Sequence, residues 1–494
     1  MRYLFCYTLL FSFNFAQFDW IEDGAPIRQG LHIEWQRTGD ANSDGSMIYA
    51  WSDCRNGVRD VIAQKVDVNG NNLWGEYGVV VVNASGRQED PQLVTDGAGG
   101  AYIIWMDYRD ETDAEGDIYA QHVSNNGSLE WGPEGLALVN QTGQQTSPNI
   151  CSDGVGGAYV IWKDNSTSSY GDIYATHLSG GIIAEGNGVP IITYSSYRSS
   201  PSLNTGGSGD AVLVWSDDRN SDEDLYAQRI SVGSDTINKE WEDGGKLICN
   251  ASGDQTSPRV AQYDGDRTII TWEDGRNSST DVYYQILDGN GNDQLTADGV
   301  SVCSGDWEII KPRVKAENSV AYIVWEDRRN GWTSDIYTQK INSNGSTEWV
   351  ENGLAITTSD GTQSEPRLTT DGSGGVYFVW EDQRNSDETG IDIYAQHVNS
   401  SGTITHDTNG ELICNAENVQ FNPLVRNDGS GGALIVWGDQ RSGGSYSMNI
   451  QRLISSGTTL TANGKESFFG FSTDAANEPY NHGAVYLEND EAFV

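Results

Sequence analysis

Residues 101–123 read AYIIWMDYRDETDAEGDIYAQHV, and the first part of this phrase returns as AYVIWKD at 158–164, AVLVWSD at 211–217, AYIVWED at 321–327, VYFVWED at 376–382 and ALIVWGD at 433–439. Each copy is a short run rich in β-branched and aromatic residues, apolar on both faces, ending on a tryptophan and an acid. Such a run is a strand that must be covered on both sides by neighbouring sheets. The DIYAQHV that follows alternates in polarity and predicts a second, more exposed strand. Between the two lies a polar hairpin that opens on Asp107 and Arg109 and closes on Asp117.

Working outward, W-x-D recurs at Trp51, Trp105, Trp162, Trp215, Trp272, Trp325, Trp380 and Trp437, a spacing of 53 to 57 residues. A glycine stands 27 residues before each tryptophan (26 in one copy), from Gly24 and Gly78 through Gly135, Gly188, Gly245, Gly299 and Gly353 to Gly410. A proline follows that glycine by 13 residues in seven copies, Pro91 to Pro423. Two further runs complete the unit: one of the type GLALVN or KLICN, and one after the proline such as PQLVTD, followed by a Gly-rich turn. Four strands in a unit of about 55 residues, none with helical periodicity, predict radially repeated sheets. The expected fold is all-β, a β-propeller of about eight four-stranded blades; a β-solenoid, whose repeats are usually shorter, fits less well.

At the N-terminus, Arg2, the apolar stretch Leu4 to Phe15 and Ala16 read as a signal peptide over residues 1–16. The propeller is expected over 17–472, with 473–494 a tail or the start of a further repeat. TLTANGKESF, from Thr459, matches QLTADGVSVC at 294–303, so either the segment around Trp20 to Gln29 or the segment around Gly464 could close the ring. No other stretch approaches the ~20 apolar residues of a membrane span. The expected product is secreted or held at the cell surface, and monomeric.

With 71 Asp and Glu against 29 Lys and Arg, the net charge is -42. This opposes nucleic acid and anionic lipid as partners. Cys249, Cys303 and Cys414 occupy equivalent places in different repeats, too far apart to be bridged, and read as small buried hydrophobes. Cys54 and Cys151 have no evident partner.

The acid and base of W-x-D-x-R repeat as Asp53 and Arg55, Asp107 and Arg109, Asp217 and Arg219, Asp274 and Arg276, Asp327 and Arg329, Asp382 and Arg384, Asp439 and Arg441; the third copy has Asp164 with Ser166. A group present in nearly every unit supports the unit, the aspartate accepting turn N–H groups and the arginine forking onto carboxylate. This W-x-D-x-R-N followed by DIYAQ resembles the repeats of uncharacterised exported bacterial proteins of the propeller type, over roughly residues 20 to 457. The resemblance implies secretion and a surface location, without a reaction. More distantly the pattern is similar to sialidase-like propellers, but no stretch has the S-x-D-x-G-x-x-W spacing of their Asp-box, so no catalytic residue is carried over.

Zinc-protease, dinucleotide and phosphate-loop motifs are absent from the sequence. His122, His177 and His397 share the slot after DIYAQ or DIYAT and read as solvated strand positions. Asp40, Asn42 and Asp44 before Gly45 form the opening half of a calcium loop, but position twelve is Trp51 where a bidentate carboxylate is required. Calcium is the one cofactor the sequence suggests, and an Asn/Asp-rich hairpin turn is the plainer reading. The repeat breaks most sharply in the sixth unit, where DWEIIKP brings Trp307 and DRRNGWTSD brings Arg328 and Trp332. Both segments fall on one face of one blade, and tryptophans with an arginine there suit stacking on a sugar ring. Tyr194, Tyr197 and Arg198 form a second patch. The expected function is non-catalytic binding of a glycan or a surface protein at the loop face. The alternatives are an extracellular polysaccharide hydrolase or lyase, which requires a carboxylate pair drawn from residues such as Glu308, Glu111 or Asp113, and an architectural domain of a larger surface protein.

Overall fold

The computed structural model describes residues 33–54, 58–109, 116–166, 169–180, 187–234, 236–441 and 447–454, with short strands at 20–21, 25–29, 182–183, 461–462, 485–486 and 492–493. The expected leader over 1–16 lies outside the described residues. Those described form an eight-bladed β-propeller of four-stranded antiparallel sheets, without a helix. Blade 2 is typical, with strands Gln88–Thr95, Ala101–Asp107, Asp117–Val123 and Leu136–Val139 paired in that order. The first strands of successive blades touch one another all the way round, closing between Gln420–Asn427 and Ile33–Ala41, so they line the axis.

Each interface between blades is filled by its own apolar cluster, such as Trp105 with Ile48 and Val61 between blades 1 and 2, or Trp380 with Tyr322 and Val324 between blades 6 and 7. All eight W-x-D tryptophans are fully buried there. From Gly135 to Gly410 the glycine of the repeat packs under the tryptophan of the blade it completes: a Cβ on Gly245 would lie 2.4 Å from the Trp215 ring. Its φ of +84° is one that glycine adopts at no steric cost.

The sequence repeat and the blade are offset by one strand. The run after each glycine is the outer strand of the preceding blade, so the run of the first repeat, Ala25–Gln29, is left for blade 8. It pairs antiparallel with Ser447–Leu453 and closes the ring. The competing segment pairs at Thr461–Ala462 with Trp20–Ile21, outside any blade.

The DIYAQ strand departs from expectation. Asp392–Val398 is buried at every position, because the outer strand covers its edge and the adjoining blades cover both faces. Its alternation separates apolar residues from buried, hydrogen-bonded polar ones. Gln228 donates to the Glu242 carbonyl (2.9 Å) and accepts from the Trp241 N–H (2.8 Å), tying the third strand to the loop that leads to the fourth. The histidines are likewise not solvated. His177 and His397 are buried, and the three rings stand 2.9 to 3.0 Å from Asp96, Asp153 and Asp371 of the DGxGG turns. Cys249, Cys303 and Cys414 are buried thiols in no disulfide, each within 3.2 to 3.3 Å of the arginine of its neighbouring hairpin.

Candidate functional site

The face carrying the W-x-D hairpins also carries the connections from one blade to the next. In blade 5, Asp274 accepts the Trp272 indole N–H (2.7 Å), the Arg276 backbone N–H (3.0 Å) and both arms of the Arg276 guanidinium (2.7 and 2.6 Å). The guanidinium also donates to the Asp298 carbonyl (2.8 Å) and lies 3.9 Å over the Tyr283 ring. Arg109, Arg219, Arg329 and Arg384 repeat the arrangement on Tyr119, Tyr226, Tyr337 and Tyr394. The second aspartate belongs to a different partner: Asn277 donates to Asp281 at 2.7 Å and Asn330 to Asp335 at 2.7 Å. From Arg109 to Arg441 each arginine of this ring is paired with the aspartate of its own hairpin, which makes the ring a scaffold. Asp53 accepts the Trp51 indole at 3.2 Å and Asp439 pairs with Arg441, whereas Arg55 lies outside the described residues.

Blade 6 adds to this scaffold. Arg328 pairs with Glu308 and thereby joins the hairpin to the segment containing Trp307. Trp307 is half-buried against the cluster between blades 5 and 6, under Arg329 at 5.3 Å and against the Gly305 backbone. Trp332, by contrast, is 99% exposed. The two tryptophans thus share a rim in different settings: one seats the loop and the other stands in solvent.

The second patch divides in the same manner. Tyr194 and Tyr197 are exposed, with Arg219 4.5 Å over the first ring and Lys163 4.9 Å over the second, and exposed Tyr170 accompanies them. Arg198, predicted with them as a ligand contact, is fully buried. It sits 3.1 Å from Asp172 and 3.7 Å from Asp217, bridging blades 3 and 4, and is not presented at the surface.

The Asp40, Asn42 and Asp44 loop is a hairpin turn. Asp44 accepts the Ser46 backbone N–H (2.9 Å), while Asp40 is held by Thr95 (3.2 Å) and Arg426 (3.4 Å) of the adjoining blades. Asn42 donates to the Ser46 hydroxyl (3.1 Å). Among the described residues no group of three or more His, Cys, Asp or Glu is placed to hold a metal. Of the carboxylates considered for hydrolysis, Glu308 is tied to Arg328, and Glu111 and Asp113 lie outside the described residues.

One constellation was missed. Arg259, Arg313 and Arg367 stand at equivalent positions on the axial strands of blades 5, 6 and 7. The signal was present as a repeated Pro-Arg at 258–259, 312–313 and 366–367, hidden because strand periodicity does not reveal which strand faces the axis.

No known family's model matches the chain, and no curated protein matches it. Among solved structures, an ulvan lyase described as a new family of polysaccharide lyase is similar at 10% identity, covering 90% of this chain and 96% of that one, with a TM-score of 0.44. A Hadza microbial sialidase is similar at 14% identity over 68% of this chain and 73% of its own, with a TM-score of 0.36. A protein of unknown function from Dyadobacter fermentans is similar at 11% identity over 64% of this chain and 96% of its own, also at 0.36.

Proposed function

We propose that the protein is an exported, non-catalytic binding module that takes a saccharide at the W-x-D rim, with Trp332 as the stacking platform. The observation that carries this is the exposure of Trp332, 99% on a hairpin where other blades have Ser221 or Ser386. The blade does not require an aromatic there, and an exposed indole offers a flat apolar face on which a sugar ring can stack. Its hairpin is anchored on both sides, by Arg329 on Asp327 and by Ser334 on the Gln363 carbonyl (2.9 Å), so the ring is presented on a fixed base. The residues at 1–16 support export.

One stacking contact contributes modestly, so weak affinity and a benefit from multivalent display are expected. The test is a glycan array probed with the wild type, Trp332→Ala and Trp307→Ala. Loss of a hit in Trp332→Ala at unchanged melting temperature supports the reading; Trp307→Ala should instead lower the melting temperature. A hit that survives Trp332→Ala removes the site, and an array without hits turns the reading to a protein partner.

A further inference from the structure

Arg259, Arg313 and Arg367 lie in one register, opposite Thr271, Val324 and Val379 of their second strands. Because the first strands line the axis, the three guanidinium groups share one stretch of channel wall, and the charges of Arg259 and Arg367 both act on Arg313. Two residues further along, Lys315 is exposed and senses Arg426 of blade 8 and Asp40 of blade 1 from across the ring. The nearby acids are already occupied. Lys311 stands 3.1 Å from Glu326 and 2.7 Å from Glu365, and Arg367 stands 3.3 Å from Glu365. Glu273 accepts the Lys311 backbone N–H at 2.6 Å.

What remains is unpaired. The Arg259 guanidinium donates only to the Pro258 carbonyl (2.8 Å), and among the described residues the side chains of Arg313 and Lys315 make neither a hydrogen bond nor an ion pair. Burial and the two neighbouring cations press Arg313 down to about 9. In a chain of net charge -42, two guanidinium groups without an ion pair beside a third held by Glu365 are the reverse of what composition alone would place there. Like charges held together in a partly enclosed space repel, and a bound anion removes that repulsion. The guanidinium fork matches the two oxygens of a carboxylate or sulfate.

We infer that the axial channel at blades 5 to 7 binds a small oxyanion, the carboxylate or sulfate of a free ion or of an acidic sugar, through Arg259 and Arg313, with Arg367 beside them on Glu365. The ligand is small because the overall charge repels polyanions at long range. The site shares no residue with the rim around Trp332 and does not depend on that reading.

The experiment is titration calorimetry of the whole protein at fixed ionic strength with sodium sulfate, sodium galacturonate and, as the uncharged control, galactose. Wild type and Trp332→Ala should bind at least one of the two anions alike and neither should bind galactose in the channel. Arg313→Met should weaken anion binding at least tenfold while melting no lower than wild type in ligand-free buffer, since a repulsive contact has been removed; Arg259→Met should behave in the same way. Tighter galacturonate assigns the oxyanion to a sugar and tighter sulfate to a free ion, and both uphold the site. Heats no larger than those of matched sodium chloride, binding unchanged in both methionine variants, or a lower melting temperature in both would overturn it.

Discussion

At the scale of single residues, the glycine before each outer strand and the aspartate of each DGxGG turn carry sharply defined physical demands. Gly245 combines a left-handed φ with a tryptophan ring where its Cβ would be. Gly245→Ala is therefore expected to destabilise by about 2–4 kcal/mol, from strain and overpacking together, read as a shift in the denaturant midpoint. Asp371 presents a different balance. Burial acts to raise its pKa, but the hydrogen bonds from His397 and from the Gly375 and Ser373 N–H groups outweigh burial and hold it below the ordinary carboxylate value. A depressed carboxylate lends stability that is complete above its unfolded value of about 4 and is lost as pH falls through the lower folded value. The stability difference between wild type and Asp371→Asn should thus shrink as pH is lowered from 6 towards 2. A difference that stays constant over that range would remove the electrostatic part of this account.

At the scale of elements, the buried glutamine of DIYAQ fastens the third strand to the connection that leads to the fourth. Gln285 donates to the Thr296 carbonyl (2.9 Å) and accepts from the Leu295 N–H (3.0 Å). Gln285→Leu leaves the Leu295 N–H without its acceptor, while the Thr296 carbonyl keeps the Gly299 N–H (3.0 Å), at a cost of about 1–3 kcal/mol. Its signature should be local, with faster amide exchange through Leu295 and Val300–Cys303 and little change in the axial strand Gln255–Asp264. Most of the element structure was legible in the sequence. W-x-D spacing, the glycine and the proline set the strands and their number, because each marks a backbone demand that recurs at fixed distance. The exposure of DIYAQ was not legible. Its polar alternation is that of a half-exposed strand, and only the sheet order shows that Gln and His there are buried with partners. At the rim, the departures from the repeat at Trp332, Tyr194 and Tyr197 could be read directly, since the repeat states what the blade requires. Which of Trp307, Trp332 and Arg198 face solvent depends on tertiary packing, and a strand pattern does not contain it.

At the scale of the whole molecule, the one-strand offset between repeat and blade makes the ring depend on both ends of the sequence. Without Ala25–Gln29, Ser447–Leu453 becomes an open edge, a template for pairing with another chain. Deletion of residues 17–29 is expected to lower the melting temperature and give concentration-dependent association in size-exclusion chromatography, whereas removal of residues 463–494 leaves blade 8 paired as it is. The same view divides the chain into a repeated scaffold and a few exceptions that face solvent or the axis. The division is tested most directly by measuring melting temperature and saccharide binding side by side in Arg276→Gln and Trp332→Ala, using whichever glycan the wild type selects. Arg276→Gln should lose stability by about 1–3 kcal/mol, as its partner Asp274 is left buried, and bind as before. Trp332→Ala should melt with the wild type and lose binding. The opposite pattern, binding lost at full stability in Arg276→Gln and kept in Trp332→Ala, would contradict the account.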